Sequence, residues 1–236
     1  YYHESIPKGI AAIQKLGTEN GFTVDTTSNA ELINEENLAQ YATVIFLSTT
    51  GDVLNHYQEA DFERYIQSGG GFVGIHAAAD TEYDWGWYGR LVGGYFADHP
   101  GINDTHPNVQ PGKVTKTAEK HPSTDSLPES WARTDEWYSY KKVNPNTKKL
   151  LLLDESSYQG GLDMGEHPIA WYHDFDGGRA FYTGGGHTNE SYEEADFLKH
   201  LLKGIQYTIG ENLELDYDKA KSKRTPEENR FTKTTL

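Results

Sequence analysis

The sequence contains no cysteine and only one methionine among its 236 residues. Without cysteine the chain can form neither disulfide bonds nor thiolate metal sites, and it has no thiol nucleophile. Basic residues are also scarce, with 21 Lys and Arg against 36 Asp and Glu, so the formal net charge is −15. Because an acidic protein repels the phosphates of DNA and RNA, we expect no nucleic-acid partner.

Long hydrophobic runs are absent as well, so we expect no membrane span. The hydrophobic content of 36% and the aromatic content of 13% are typical of a bacterial-type soluble globular protein. The chain begins at Tyr1 rather than at an initiator Met, and no signal peptide is visible. The sequence therefore does not determine the localisation, cytoplasmic or exported after processing, and it does not determine the oligomeric state.

Short apolar runs alternate with amphipathic stretches over residues 1–210, which favours a single α/β domain with a mainly parallel sheet. Strands are predicted at 22–26, 43–47, 72–75, 131–140, 150–153, 169–172 and 179–183. Helices are predicted from Ile6 with Ser5 as the cap and Asn20-Gly21 as the stop, and then at 34–41, 55–68, 87–96 and 193–209. The proline- and glycine-rich segment 98–127 receives no element. Residues 211–236 are predicted to be a polar C-terminal extension on the surface or partly disordered.

Residues 69–100 carry the densest signal in the chain, GGGFVGIHAAADTEYDWGWYGRLVGGYFADHP. The glycines suit a helix end, residues 72–75 suit a buried strand, and His76 follows where that strand stops. Ligands of open α/β sheets bind beyond the carboxyl ends of the strands. Thr49 and His187 also follow apolar runs, so we expect them at the same edge. A single histidine is more often structural, but His76 and His187 at equivalent strand ends indicate a site.

The segment after His76 is small, then acidic, then aromatic, a composition that suits the wall of a polar pocket. Asp80, Glu82 and Asp84 are candidates for paired carboxylates in glycoside cleavage. The same residues equally suit a solvated loop or a cap of the helix predicted to begin at Trp87.

These motifs resemble the signature of the ThuA-like (trehalose-utilisation) domain family. The resemblance covers roughly residues 1–210 and includes GGGFVGIHAAADTEYDW, then WYG and His99-Pro100, with YYHESIPKGI at 1–10, FLSTTGDVL at 46–54, TDEWY at 134–138, HPIAW at 167–171 and FYTGGGHT at 181–188. It implies a flavodoxin-like three-layer fold with a mainly parallel central sheet, related to class I glutamine amidotransferases, and a link to sugar metabolism. In that family a first strand precedes the Tyr-His motif, so the resemblance also implies a strand that this sequence does not contain.

The comparison with glutamine amidotransferases excludes their reaction. The run FVGIHAA resembles their nucleophile elbow with His76 in the place of the cysteine, and His187 resembles their catalytic histidine. Histidine cannot form the thioester which that reaction needs, and no G-x-S-x-G is present to supply a serine nucleophile. Residues 69–74 match G-x-G-x-x-G only as text, because these glycines open a strand rather than a helix.

We therefore predict general acid/base chemistry on a small-molecule carbohydrate, with His76 and His187 transferring protons and Glu136 orienting one of them or binding a hydroxyl. Aromatic faces beside polar groups suit a sugar, and on this ground the substrate-binding candidates are His3, Thr49, Asp80, Trp85, His99, Trp137 and Tyr138.

Two alternatives remain open. A divalent metal, zinc or manganese, is one, with His3, His76 and His187 as the candidate ligands, although no H-x-x-x-H or H-E-x-x-H spacing occurs. The other is a noncatalytic carbohydrate-binding or scaffold domain on a degenerate amidotransferase fold. Histidines that converge on one cavity would favour the enzyme, and scattered histidines would favour the binding domain.

Overall fold

The computed structural model of the protein describes residues 1–210 and 214–223. Its α-helices are α1 (Ile6–Asn20), α2 (Glu35–Leu38), α3 (His56–Gln67), α4 (Gly86–Val92), α5 (Pro122–Asp125) and α6 (Ala195–Ile209). Its strands are β1 (Thr43–Leu47), β2 (Gly71–Ile75), β3 (Tyr95–Asp98), β4 (Val109–Lys116), β5 (Ser130–Glu136), β6 (Ser139–Lys141), β7 (Lys148–Asp154), β8 (Pro168–Phe175) and β9 (Gly178–Thr183). Among these residues no helix is both long enough and apolar enough to cross a membrane.

Seven strands form one mixed sheet in the order β1-β2-β9-β8-β7-β4-β5. β1, β2 and β9 pair in parallel, whereas every pairing from β9 through β8, β7 and β4 to β5 is antiparallel. β3 and β6 form a separate antiparallel pair. The α/β class is confirmed, but the prediction of a mainly parallel, flavodoxin-like sheet is wrong, because the parallel part covers only three strands.

The dipeptide Asp176-Gly177 is one physical cause of the antiparallel part. Phe175 at the end of β8 pairs directly with Gly178 at the start of β9, so only two residues form the turn. Both have positive φ, 45° for Asp176 and 101° for Gly177, as a type I′ hairpin requires. A link of two residues cannot cross over a sheet, so β8 and β9 must run in opposite directions.

Helices cover the parallel part of the sheet on both faces. Phe72 of β2 belongs to a core cluster with residues of α3 and α4, among them Phe62, Tyr65, Tyr88 and Leu91. Val73 and Ile75 of the same strand belong to a second cluster with residues of α1 and α6, among them Ile13, Phe197, Leu201 and Ile205. This division follows from the alternation of side chains along a strand. The sheet is therefore held between two apolar helix layers here.

The first helix is confirmed, and Gly21 ends it with a φ of 80°. Ser5 does not cap this helix through its side chain; its buried hydroxyl instead donates to the Gly186 carbonyl at 2.9 Å. The predicted strand at 22–26 is wrong. Phe22 and Val24 pack against α1 at Gly17, where a Cβ would lie 2.6 Å from the Phe22 carbonyl oxygen. These apolar side chains cover a helix instead of joining a sheet.

Two further predictions are wrong at segments that contain glycine or proline. The predicted helix at 87–96 stops at Val92 because Gly93 has a φ of 92°, and β3 begins two residues later. β4 lies inside the segment that received no element. Its Pro111 pairs with β5 before the β7 pairing begins at Lys113. Gly112 makes room for the Trp137 ring, which lies 2.7 Å from where a Cβ would stand.

Part of the predicted extension 211–236 is described. Residues 214–223 lie against α3, where the Gln67 side-chain oxygen accepts the backbone N–H groups of Lys221 at 2.7 Å and Ser222 at 2.9 Å. Leu215 packs on the core cluster that contains α3. Residues 211–213 and 224–236 lie outside the described residues, and so does the prediction made for them.

Candidate functional site

Four polar side chains, His3, His76, Glu136 and His187, converge at one edge of the sheet, and one nitrogen or oxygen of each lies within 4.8 Å of the others. His76 follows β2, His187 lies four residues beyond β9, Glu136 ends β5, and His3 precedes α1. β2, β9 and β5 run in the same direction, because four antiparallel pairings separate β9 from β5. Their carboxyl ends therefore point toward the same edge.

Curling of the sheet brings Glu136 to the histidines. β5 is five positions from β2 in the strand order, which in a flat sheet would separate the two strands by about 24 Å. Yet Glu136 Oε2 lies 3.2 Å from His76 Nε2 and 3.0 Å from His187 Nδ1. The antiparallel half of the sheet must fold back over the ends of β2 and β9, and only the complete tertiary structure assembles this site.

His76 is held in a sharp turn at the end of its strand. Its φ is 49°, an unusual value for a residue other than glycine and one often found at functional sites. The Gly184 carbonyl lies 2.9 Å from Nδ1; because a carbonyl only accepts, Nδ1 carries the hydrogen and Nε2 faces the cluster. The Tyr182 hydroxyl donates to the His76 carbonyl at 2.8 Å. The Tyr138 ring lies against the imidazole, with centroids 4.2 Å apart.

The two oxygens of Glu136 have different partners. Oε1 accepts from the Asn108 amide at 2.7 Å and lies 3.5 Å from His99 Nε2, whereas Oε2 faces His76 and His187. Burial acts to raise the pKa of Glu136, but its contacts with the His187 and His76 rings outweigh this effect, and the pKa of this carboxyl is lowered. Burial likewise acts to lower the pKa of His187, yet its hydrogen bond to Glu136 raises that pKa above 6.5. The surroundings therefore favour an ionised Glu136 carboxylate with positive charge beside it.

His3 completes the cluster from the N-terminal segment. Its ring meets those of His76 and His187 edge to face, with centroids 5.1 and 5.3 Å apart. Burial, and then the charges of His76 and His187, lower the pKa of His3 to about 3, so the ring is neutral at neutral pH. Its Nδ1 is buried and has no hydrogen-bond partner among the described residues.

Asp135 was not predicted as a site residue, although it precedes Glu136 on the opposite face of β5. It is fully buried, and the Arg133 guanidinium lies 2.9 Å from its Oδ2. Its carboxylate also accepts hydrogen bonds from the Ser191 hydroxyl and from the backbone N–H groups of Glu136, Gly186 and His187, all at 2.8–3.0 Å. Asp135 therefore fixes the backbone that presents His187. The sequence signal that could have identified Asp135 is the acidic pair that it forms with Glu136.

His99 and Tyr138, two of the substrate-binding candidates, border the cluster. Their rings stack with centroids 5.9 Å apart and planes within 10°, and 20% of the His99 side chain is exposed. His167 supports this wall, because its Nε2 lies 2.8 Å from the Tyr138 carbonyl. The Tyr138 ring contacts that of His76, and the His99 ring lies next to Glu136.

The other four substrate-binding candidates have partners elsewhere. The Thr49 hydroxyl lies 2.9 Å from that of Thr81, and the Asp80 carboxylate accepts from the Tyr83 hydroxyl. Trp85 stacks on Trp87 with centroids 5.1 Å apart. Trp137 is buried in the second core cluster, and its indole N–H donates to the Gln110 carbonyl at 2.9 Å.

A separate cavity of about 300 Å³ contains none of the four cluster residues and is lined by Gly51, Asp52, Glu59, Glu82, Tyr83, Asp84 and Trp85. The Glu82 side chain accepts the N–H groups of Val53 and Leu54 at 2.8 Å each. Burial raises the pKa of Glu82 despite these bonds. Glu82 therefore anchors the loop after β1, and the predicted carboxylate pair of this segment stays a prediction.

The chain is similar in sequence to a known family model and similar in fold to solved structures. The model of the ThuA family, described as trehalose utilisation, matches residues 1–208. A ThuA-like protein from Bacteroides uniformis has 25% identity and a TM-score of 0.75, covering 90% of this chain and 87% of its own. One from Parabacteroides merdae has 19% identity and a TM-score of 0.69, covering 94% and 96%.

A β-galactosidase from Bacillus circulans is similar in fold alone, at 14% identity and a TM-score of 0.51, over 85% of this chain and 26% of its own. A comparison with curated proteins gives no match.

Proposed function

The chain belongs to the ThuA family of trehalose utilisation, and from this premise we propose that it is an enzyme of carbohydrate metabolism. It transfers protons to and from a sugar or sugar derivative at the cluster of His3, His76, Glu136 and His187. The observation that carries the proposal is the shared carboxylate: Glu136 Oε2 lies within 3.2 Å of ring nitrogens of both His76 and His187. A buried carboxylate between two imidazoles stabilises the proton that general acid/base catalysis moves.

His187 is the better placed of the two histidines to exchange a proton with a substrate. Its side chain is 15% exposed, whereas that of His76 is 0% exposed. Burial acts to lower the pKa of His187, but the hydrogen bond to Glu136 raises it; the protonated imidazole can act as an acid and the neutral ring as a base. His76 fixes the other side of the carboxylate and hydrogen-bonds to the backbone through Nδ1.

The stacked rings of His99 and Tyr138 support a sugar as the substrate. Sugars present apolar C–H faces next to hydroxyl groups, so an aromatic wall beside charged and polar side chains suits them. His99 is partly exposed and lies 3.5 Å from Glu136, so a ligand that contacts the His99 ring would lie close to the carboxylate.

Proton exchange with solvent tests the proposal directly. The protein is incubated in D₂O with trehalose and a panel of its constituent and oxidised sugars, and ¹H NMR follows the carbon-bound hydrogens and new products. We expect conversion or exchange of at least one sugar, and a loss of about 10²–10⁴-fold in its rate in the Glu136→Gln variant. The Glu129→Gln variant is the control, since that side chain is 87% exposed and should keep the rate.

The noncatalytic alternative gives a different result. A sugar that binds the wild-type protein but is neither converted nor exchanged would identify a carbohydrate-binding domain and contradict the enzyme. Equal rates in wild type and Glu136→Gln would place the chemistry elsewhere.

A further inference from the structure

We propose that His3, His76, Glu136 and His187 together hold one divalent metal ion, of the zinc or manganese class. Metal binding does not depend on the proposed function, but a catalytic use of the ion rests on it. Four separate features of the cluster support the assignment: the balance of hydrogens, the distances, the ligand types and the groups that hold the ligands.

The cluster has too few hydrogens to pair with all the lone pairs that face its centre. His76 Nε2, His187 Nδ1 and Glu136 Oε2 lie 3.0–3.2 Å from one another. The Nδ1 hydrogen of His76 is used by the Gly184 carbonyl. If both rings are neutral, at most one hydrogen lies between the three atoms, and Nε2 and Oε2 face each other with lone pairs at 3.2 Å. Since two acceptors at that distance repel, either a further proton or a cation belongs there.

The distances fit an ion. Ligand atoms about 3.1 Å apart can each be about 2.1 Å from a metal that lies roughly 1.1 Å outside their plane, and 2.0–2.1 Å is the usual zinc–nitrogen distance. One His3 nitrogen lies within 4.8 Å of all the others, and a small shift of its ring would bring it to the separation of at most about 4.2 Å that two ligands of one ion allow. His3 is buried, and its Nδ1 has no hydrogen-bond partner in the part of the chain that the structure describes. Unlike a proton, an ion can satisfy several lone pairs at once.

The ligand set narrows the choice of ion. Three imidazoles and one carboxylate, without thiolate, suit borderline divalent metals such as zinc and manganese. Calcium and magnesium prefer ligand shells made of oxygen and do not match.

Three of the four candidate ligands are held in place by neighbouring groups, and two of them, His76 and Glu136, are held as metal ligands usually are. Histidine ligands typically donate their second ring N–H to a carbonyl or carboxylate, and ligating carboxylates are themselves hydrogen-bonded. His76 follows this rule through Gly184. The second oxygen of Glu136 accepts from Asn108 at 2.7 Å, and Asp135 fixes the backbone of His187 at 3.0 Å. Such an ion lowers the pKa of a bound water and so supplies a base near neutral pH.

Metal binding is measured on the full chain. The protein is treated with a chelator, dialysed and titrated with Zn²⁺, Mn²⁺ or Co²⁺, with the bound ion quantified by mass spectrometry and Co²⁺ coordination followed by its visible spectrum. We expect one ion per chain and a melting temperature that rises with free metal. His3→Asn and Glu136→Gln should each weaken binding by about 100-fold or more, since even changes to the groups around metal ligands cost 10–100-fold. His56→Asn, an exposed position, should leave binding unchanged.

Failure of this proposal is distinct from failure of the proposed function. Binding of less than one ion per chain at millimolar metal, or equal affinity in the two ligand variants, would overturn the metal site. If the metal-free protein still exchanges sugar hydrogens in D₂O at the full rate, the ion has no part in catalysis and the protonated cluster suffices. If one ion binds but no sugar reacts, the metal site stands and the enzymatic proposal falls.

Discussion

Two of the regions that contain buried histidines differ in what surrounds the rings. At the sheet edge the rings of His3, His76 and His187 face one another and a carboxylate. Between α5, α6 and β9, His121 and His200 are 3% and 1% exposed and face backbone groups and apolar rings. His121 Nδ1 accepts the Ser123 N–H at 3.2 Å, and His200 Nδ1 lies 3.1 Å from the Ser123 carbonyl.

The difference shows that burial alone does not mark a functional histidine; the groups facing the ring nitrogens do. Burial lowers the pKa of both His121 and His200 to about 4, because too little negative charge lies nearby to offset it. Burial acts in the same direction on His187, yet Glu136 raises the pKa of that ring. His121 and His200 therefore stay neutral and support packing, whereas the cluster at the sheet edge can hold a proton or a cation.

The largest expected effect separates the two regions by activity. His76→Asn should lower the rate on the sugar substrate by about 10²–10⁴-fold because it removes Nε2 from the cluster. Asparagine tolerates a positive φ, and its amide can still donate to the Gly184 carbonyl, so the fold should persist. Turnover and a thermal melt measure both effects.

His200→Asn is the matched control for that variant. It should keep the turnover rate per folded molecule and lower the melting temperature instead, because it removes packing against Phe181, whose ring centroid is 5.1 Å away. If His200→Asn abolished turnover as well, or His76→Asn left it intact, the division into two regions would be wrong.

Asp135→Asn should give the next largest effect, on stability. The change leaves the buried Arg133 guanidinium, now 2.9 Å from Asp135, without full charge compensation. Breaking a buried ion pair costs about 3–5 kcal/mol, which corresponds to a fall of roughly 6–20 °C in melting temperature for a chain of this size. A shift below 2 °C in differential scanning calorimetry would show that the backbone hydrogen bonds alone hold this carboxyl.

The third prediction concerns the effect of pH on stability through His200, one of the two buried histidines outside the cluster. Burial lowers the folded-state pKa of His200 to about 4 from the ordinary 6.5 of a histidine, so its stabilising contribution is complete above pH 6.5 and is lost as the pH falls toward 4. At pH 5 the cost is about 2 kcal/mol for this group. Urea unfolding between pH 7 and pH 4.5 should show the loss, and His200→Gln should flatten the slope. An unchanged slope would assign the titration to other groups.

The smallest effect is expected for a histidine in neither region. His56 is exposed at the start of α3, and His56→Ala should change the free energy of unfolding by no more than about 0.5 kcal/mol. Its turnover rate should equal that of the wild type. A larger effect in either measurement would extend the functional surface to α3.

Much of the secondary structure could be predicted from local patterns. The apolar runs of β1, β2, β7, β8 and β9 and the amphipathic repeats of α1, α3 and α6 stand out because each needs only its own residues. β4 was missed because Pro111 and Gly112 are typical of loops, and a partner strand tolerates them here. The dipeptide Asp176-Gly177 is a local signal that β8 and β9 form an antiparallel hairpin. The prediction of a mainly parallel sheet did not take this signal into account.

By itself the sequence indicated that His76 and His187 follow apolar runs that form strands, because a strand and the polar residues after it are local features. It placed Glu136 inside a predicted strand over 131–140, whereas in the structure β5 ends at Glu136. Tertiary structure decided the rest. The antiparallel pairings curl the sheet and bring Glu136 from five strands away to within 3.2 Å of His76. They also set which histidines meet a carboxylate and which meet only backbone. Strand direction and curvature depend on pairings between distant segments, and no short stretch of sequence contains both partners.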